Sequence, residues 1–121
     1  MSTEPSIFTR IINREIPADI LFEDEQAIVI RTIEPQAPVH LLAITKRPYE
    51  SLADLVGEAS AERQADLWHL FEVAAKVAKD HGLDSGYRLV TNIGPDAGQT
   101  VRHLHVHILG GGKLDEDTLA K

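Results

Sequence analysis

His103-Leu104-His105-Val106-His107-Ile108-Leu109 sets three histidines at alternate positions with apolar residues between them. Side chains of a β-strand point to opposite faces in turn, so residues i, i+2 and i+4 share one side. As a strand, the run puts His103, His105 and His107 on one face, neighbours roughly 7 Å apart. Val101 and Leu109 belong to that face; Leu104, Val106 and Ile108 form the other, apolar one. The row holds three of the chain's six histidines. Imidazole titrates near neutrality, which suits it to nucleophilic attack, proton transfer or metal binding.

Outward from this row, the N-terminal side is a turn-rich loop, Gly94-Pro95-Asp96-Ala97-Gly98, and the C-terminal side ends in Gly110-Gly111-Gly112. Tyr87 to Thr91 reads as a further strand. A long helix spans about Ala61 to His81, with Ser60 as cap and Gly82 as stop. Its apolar stripe is Leu67, Leu70, Phe71, Ala74, Val77 and Ala78. Ser51 with Asp54 three positions on marks a short helical turn to about Val56. Three more strands are expected at Ile20–Glu23, Ala27–Arg31 and His40–Thr45. The first two are joined by the acidic turn Glu23-Asp24-Glu25-Gln26, read as solvated. Glu34-Pro35-Gln36-Ala37-Pro38 is an irregular loop, because each proline lacks a donor and restricts its predecessor. Ser6 caps a short helix from Ile7 to about Glu15. Strands and helices are partly segregated, which predicts an α+β fold with a mostly antiparallel sheet.

The chain of 121 residues is expected to be a single domain, with a core at about 6–112 and a polar tail at 113–121. It has no cysteine, so disulfides and thiolate metal sites are excluded. Its net charge of −7 disfavours nonspecific binding to nucleic acid or anionic membranes. Apolar runs are far shorter than the roughly 20 residues a spanning helix needs. Residues 1–5 lack the apolar core of a signal peptide. The expectation is a cytoplasmic protein with no membrane, DNA or RNA partner.

Three readings of the histidine row compete. A neutral imidazole can attack phosphorus and form a covalent intermediate. Flanking imidazoles then donate to phosphoryl oxygens or to the leaving group. Gly98-Gln99-Thr100 offers backbone N–H groups, an amide and a hydroxyl where anionic oxygens could sit. Alternatively, the row shares a metal ion, with His40 on another strand as a further ligand. The third reading is a solvated face with incidental histidines. His69 and His81 are assigned no function, and Trp68 is assigned to packing or an interface.

The run Gly98 to Gly111 closely resembles the signature of the histidine triad (HIT) superfamily. Ser6 to Ile12, Glu15-Ile16-Pro17-Ala18, Phe22-Glu23-Asp24, Pro35 to His40 and Asn92 also resemble that family's pattern. The Leu-Gly-Gly ending and the short chain look like its Hint branch, the histidine triad nucleotide-binding proteins. The resemblance implies a five-stranded antiparallel sheet with one long and one or two short helices, dimerising into a continuous ten-stranded sheet. It implies a purine nucleoside monophosphate or phosphoramidate ligand, no cofactor, and metal-free hydrolysis of nucleoside phosphoramidates and aminoacyl adenylates. By position, it makes His105 the nucleophile. It places His107 and Thr100 against phosphate oxygens or the leaving group, and gives His103 and His40 supporting roles. Asn92, Gly98, Gln99 and Val101 would line the phosphate pocket. Phe8, Ile11, Ile30 and Leu42 would form the apolar slot for the base. A module that binds nucleotides with vestigial catalysis is the alternative.

Two departures stand out. Many relatives carry Cys-x-x-Cys in the first helix and bind structural zinc there; this chain has Ser6 and Thr9, so no zinc is expected. Where the family usually has an aspartate gripping both ribose hydroxyls, this chain has Thr32, which offers one hydroxyl. Losing a charged acceptor costs on the order of 1–3 kcal/mol, so weaker nucleoside binding or altered sugar preference is expected.

Overall fold

The protein is described from a computed structural model, covering residues 5–115. Most of the tail anticipated at 113–121 therefore lies outside the described residues. The elements are helix α1 (Ile7–Ile12), strands β1 (Ile20–Glu23), β2 (Ala27–Arg31) and β3 (Val39–Thr45), helices α2 (Leu52–Val56) and α3 (Ala61–Asp80), then β4 (Tyr87–Val90) and β5 (His105–Gly110). All strands join one antiparallel sheet in the order β1-β2-β3-β5-β4. The α+β architecture with one long and two short helices is the one expected. The histidine strand is an inner one, flanked by β3 and β4.

Each helix starts at a serine whose hydroxyl takes a free N–H of the first turn: Ser6 from Thr9, Ser51 from Asp54 and Ser60 from Arg63. Helix α3 stops at Gly82, whose φ of +75° is the left-handed turn that glycine adopts without steric cost. Helix α1 is shorter than expected. Glu15 N–H bonds the Arg10 carbonyl at 2.8 Å and Arg14 N–H bonds that of Ile11 at 3.0 Å, with Arg14 at φ +64°. This is a Schellman ending built on a non-glycine residue.

The sheet separates two apolar layers. On one face Ala27, Val29, Leu41, Ala43, Val106 and Ile108 pack beneath α3, against Leu70, Val73, Ala74, Val77 and Ala78. On the other, Ile28, Ile30, Leu42 and Ile44 meet Phe8 and Ile11 of α1. A helix of six residues covers only part of a five-stranded face. The side chains of β5 that project on this side remain half-buried.

Candidate functional site: an imidazole row on the open sheet face

Register decides which side chains meet. His107 lies opposite Leu42 of β3 and Val90 of β4, His105 opposite Ile44, and His40 opposite Leu109. Directly paired residues of an antiparallel sheet project on the same side. His105, His107 and His40 therefore share the face carrying Ile30, Leu42 and Ile44. The His105 and His107 ring centres are 5.2 Å apart, those of His107 and His40 5.1 Å. Phe8 meets His105 edge-on at 4.9 Å.

His103 departs from the expected row. The strand begins only at His105, because residues 101–103 bend and His103 N–H turns back to the Val101 carbonyl at 2.9 Å. The His103 side chain is 0% exposed. Its Nε2 lies 2.6 Å from the Thr45 carbonyl, and its Nδ1 lies 2.8 Å from Ser6 Oγ and 3.3 Å from Thr9 Oγ1. Its ring is packed between α1 and β3 and cannot touch a ligand.

Hydrogen-bond partners assign each ring a tautomer. His105 Nδ1 is 2.7 Å from the His103 carbonyl, an acceptor, so Nδ1 carries the proton and Nε2 keeps its lone pair. Gln36 N–H donates to His40 Nδ1 at 2.9 Å, so the His40 proton is on Nε2. That proton is donated to His107 Nδ1, 2.9 Å away. His107 is left with Nε2–H. One ring of the half-buried pair thus presents a lone pair and the other a donor.

Burial keeps these rings uncharged. Desolvation lowers the pKa of His40, His103 and His105 below the usual imidazole range. His107 is lowered to about 4, by burial first and then by the neighbouring His105 and His40. A charge on His107 would also conflict with the proton that His40 directs at its Nδ1.

The loop before β5 is braced from within. The Gln99 side chain accepts Gly94 N–H at 2.8 Å and donates to the carbonyls of Glu50 (2.6 Å) and Val101 (3.0 Å). The Gln99 amide, expected at the phosphate, is thus committed to holding the loop. Asn92 Nδ2 donates to the Ala97 carbonyl at 2.8 Å, leaving Oδ1 without a partner among the described residues. Gly98 takes φ +82°, a left-handed turn that directs the chain into Thr100. The N–H groups of Thr100 and Val101 meet no acceptor among the described residues, and the Thr100 hydroxyl is exposed. These free donors lie just ahead of the histidines.

Phe8, Ile11, Ile30 and Leu42, expected as an apolar slot, are brought into one cluster, with Val101 packed at its edge. Thr32 follows the end of β2, and its hydroxyl accepts Glu34 N–H at 3.2 Å. Ile28 and Ile44, both 0% exposed, belong to the same buried cluster and were not singled out in the sequence. The sequence reading also missed Thr91, whose hydroxyl donates to the His105 carbonyl at 2.9 Å, and the Gln36 N–H that sets the His40 tautomer. Strands β2 and β3 are near-continuous apolar runs buried on both faces, so no alternation marks which residues face α1. Contacts made by backbone groups leave no mark in sequence.

Zinc does not fit the first helix. Zinc takes thiolate, imidazole and carboxylate donors, whereas Ser6 and Thr9 bring two neutral hydroxyls to one buried ring. Among the described residues no group of three His, Cys, Asp or Glu is placed to hold a metal ion.

Known proteins share this fold. The HIT domain family matches residues 13–114. An uncharacterized HIT-like protein of Synechococcus elongatus is 51% identical over 112 residues, covering 93% of this chain and 95% of the relative. A solved HIT family hydrolase from Clostridium thermocellum superposes with a TM-score of 0.86 at 43% identity, over 98% of this chain and 100% of that one. A hypothetical histidine triad nucleotide-binding protein from Sulfolobus tokodaii superposes with a TM-score of 0.72 at 35% identity, over 89% of this chain and 70% of that one. With the domain match spanning most of its length and its imidazoles set on the inner strand of the shared fold, the chain belongs to the HIT domain family.

Proposed function

We propose that the protein is a purine nucleoside phosphoramidate hydrolase of the Hint branch, acting through a nucleotidyl-His105 intermediate. The observation that carries this reading is the bond from His105 Nδ1–H to the His103 carbonyl at 2.7 Å. It leaves Nε2 with a free lone pair on a ring that burial keeps neutral. In the first step Nε2 attacks the α-phosphorus; the P–N bond to the amine breaks, and the amine takes a proton from solvent as it departs, while His107 Nε2–H donates a hydrogen bond to a phosphoryl oxygen. In the second step the oxygen of water bonds phosphorus, the bond to His105 breaks, and the water proton passes to solvent. The free N–H groups of Thr100 and Val101 and the Thr100 hydroxyl bind the phosphoryl oxygens, where charge develops. Asn92 and Gly98 shape that pocket and Gln99 holds it, while the base lies in the slot formed by Phe8, Ile11, Ile30 and Leu42. Splitting one displacement into two lowers the barrier to each.

The resemblance to nucleotide-binding HIT proteins supports a purine nucleoside monophosphate ligand, and no metal or cofactor takes part. A homodimer through the edge strand β4 belongs to the same reading. Trp68 of α3 is 73% exposed, and Tyr87 and Leu89 of β4 are also exposed. Exposed apolar side chains of this size, two on the edge strand and one on α3, suit a partner surface. Adenosine 5′-phosphoramidate is the substrate that tests the proposal: the protein releases AMP and ammonia, and His105→Ala abolishes release. Near-normal turnover by that variant contradicts the assignment.

Thr32 favours a second reading, a nucleotide-binding or scaffolding module with weak catalysis. Its hydroxyl already accepts Glu34 N–H, so it has less to offer a ribose than a carboxylate has. Tight AMP binding without turnover of any phosphoramidate would select this alternative.

A further inference from the structure

We propose that Ser6 is a positioning residue for His105, acting through the ring and carbonyl of His103. The proposal rests on the reading of His105 as nucleophile. His103 is fully buried, so both its ring nitrogens need partners within the protein. The Thr45 carbonyl accepts from Nε2–H at 2.6 Å. Nδ1 must then be an acceptor, and Ser6 Oγ, at 2.8 Å, is its closest hydroxyl; Thr9 Oγ1 is at 3.3 Å. Ser6 Oγ has one proton and two lone pairs. Thr9 Oγ1 lies 3.3 Å from the same oxygen, but the shorter distance to His103 Nδ1 directs the proton to the ring; Ser6 Oγ also accepts Thr9 N–H at 3.1 Å, so one atom caps α1 and fixes the buried ring.

The ring in turn ties α1 to β3, with the peptide between His103 and Leu104 held at both ends. Leu104 N–H bonds the Tyr49 carbonyl at 2.8 Å, and the His103 carbonyl receives His105 Nδ1–H at 2.7 Å. That last bond keeps the lone pair on His105 Nε2. The same helix presents Phe8, whose ring stands 4.9 Å from that of His105. A hydroxyl at position 6 thus joins the apolar slot to the tautomer of the nucleophile.

The experiment is ¹⁵N NMR of the histidine rings at pH 8 in the wild type, Ser6→Thr, Ser6→Gly and Thr9→Val, with turnover measured alongside. In the wild type His103 is the Nε2–H tautomer and His105 the Nδ1–H tautomer; a His103 protonated on Nδ1 overturns the proposal whatever the variants do. Ser6→Thr preserves both patterns. Thr9→Val changes little. Glycine caps a helix nearly as well as serine, so Ser6→Gly removes the donor while sparing the cap. In Ser6→Gly the His105 protons redistribute between the two nitrogens. Its kcat falls on the order of tenfold or more, as when other partners that fix an imidazole's tautomer are lost, while KM changes little. A Ser6→Gly protein with the wild-type His105 tautomer and kcat reduces Ser6 to a helix cap. If the wild type turns over no phosphoramidate, the functional reading fails, and the ring tautomers still decide the role of Ser6.

Discussion

His105 and His107 are neighbours on one strand held in opposite proton arrangements. The first gives its Nδ1 proton to a carbonyl; the second receives one from His40. Their neutrality has a visible pH signature. A group that must be unprotonated, and whose pKa is lowered by burial, gives no acidic limb near the ordinary imidazole value. The kcat/KM profile is expected to stay flat from pH 8 down through about 6.5. An acidic limb centred at or above 6.5 contradicts the neutral-ring account. The same shifts bear on stability. The unfolded chain takes up protons on these histidines as pH falls below about 6.5, while the folded chain resists until its own lower values are reached. Stability is therefore full above that range and lost as pH falls toward about 4, the folded value of His107. His107 alone contributes about 3 kcal/mol across this window. Urea titrations at pH 7 and pH 4.5 measure it, and His107→Phe is expected to flatten the dependence.

Thr32 makes the other prediction at this scale. Thr32→Asp replaces one hydroxyl by a carboxylate able to accept from both ribose hydroxyls. KM for adenosine 5′-phosphoramidate is expected to fall roughly tenfold, from about 1–3 kcal/mol per charged acceptor, with kcat little changed. Comparison with the 2′-deoxy substrate checks the cause, because the gain disappears when one hydroxyl is missing. An unchanged KM would show that Thr32 does not meet the sugar.

Among elements, α3 carries a residue that its pattern does not explain. Asp66 is buried at 2% exposure and accepts from Tyr49 Oη (2.6 Å), Arg47 Nη1 (2.8 Å) and Gln26 Nε2 (3.1 Å). Burial pushes its carboxyl up; the bonds from Tyr49, Arg47 and Gln26 outweigh this and leave it below the usual range. Burial and the same carboxylate push Tyr49 up to about 12. This cluster fastens the segment after β3, whose Tyr49 carbonyl receives Leu104 N–H just ahead of the histidine strand. Asp66→Ala leaves the buried Tyr49 hydroxyl without its acceptor, while the half-exposed Arg47 keeps Glu62, and is expected to cost about 2 kcal/mol in urea denaturation. A loss below about 1 kcal/mol would show that the cluster is not a structural anchor.

Elements with a strong period or a cap were legible in the sequence. Helix α3 runs over Ala61–Asp80, between the Ser60 cap and the Gly82 stop, β1 and β2 have the expected bounds, and β5 alternates half-buried and buried side chains. A Schellman turn at Arg14 shortened α1, although no glycine marks it. The burial of Asp66 was not legible in α3, because its partners are 17, 19 and 40 residues away. Asp24 belongs to a turn read as solvated, yet it accepts Gln26 N–H and Ala27 N–H and lies 2.5 Å from His69 of α3. His103 is off the strand because residues 101–103 bend, a turn that the alternating spacing does not show. The resemblance gave His103 a supporting role, and the fold adds that its ring is fully buried.

For the whole molecule, the sheet divides the labour. The face under α3 supplies the main core, and the face under α1 carries the imidazoles. Among the described residues no helix is long and apolar enough to cross a membrane. The proposed dimer is tested at this scale. Sedimentation equilibrium is expected to find a dimer at micromolar concentration, and Trp68→Glu is expected to shift it toward monomer. A monomeric wild type would leave Tyr87, Leu89 and Trp68 without the proposed partner.

The account depends most on His105 taking the nucleotide covalently. Rapid quenching with adenosine 5′-phosphoramidate, followed by intact mass and peptide mapping, tests this directly. The expected result is one AMP adduct on His105, formed and lost within turnover and missing from His105→Ala. Turnover with no adduct at early times, or an adduct on another residue, would contradict it.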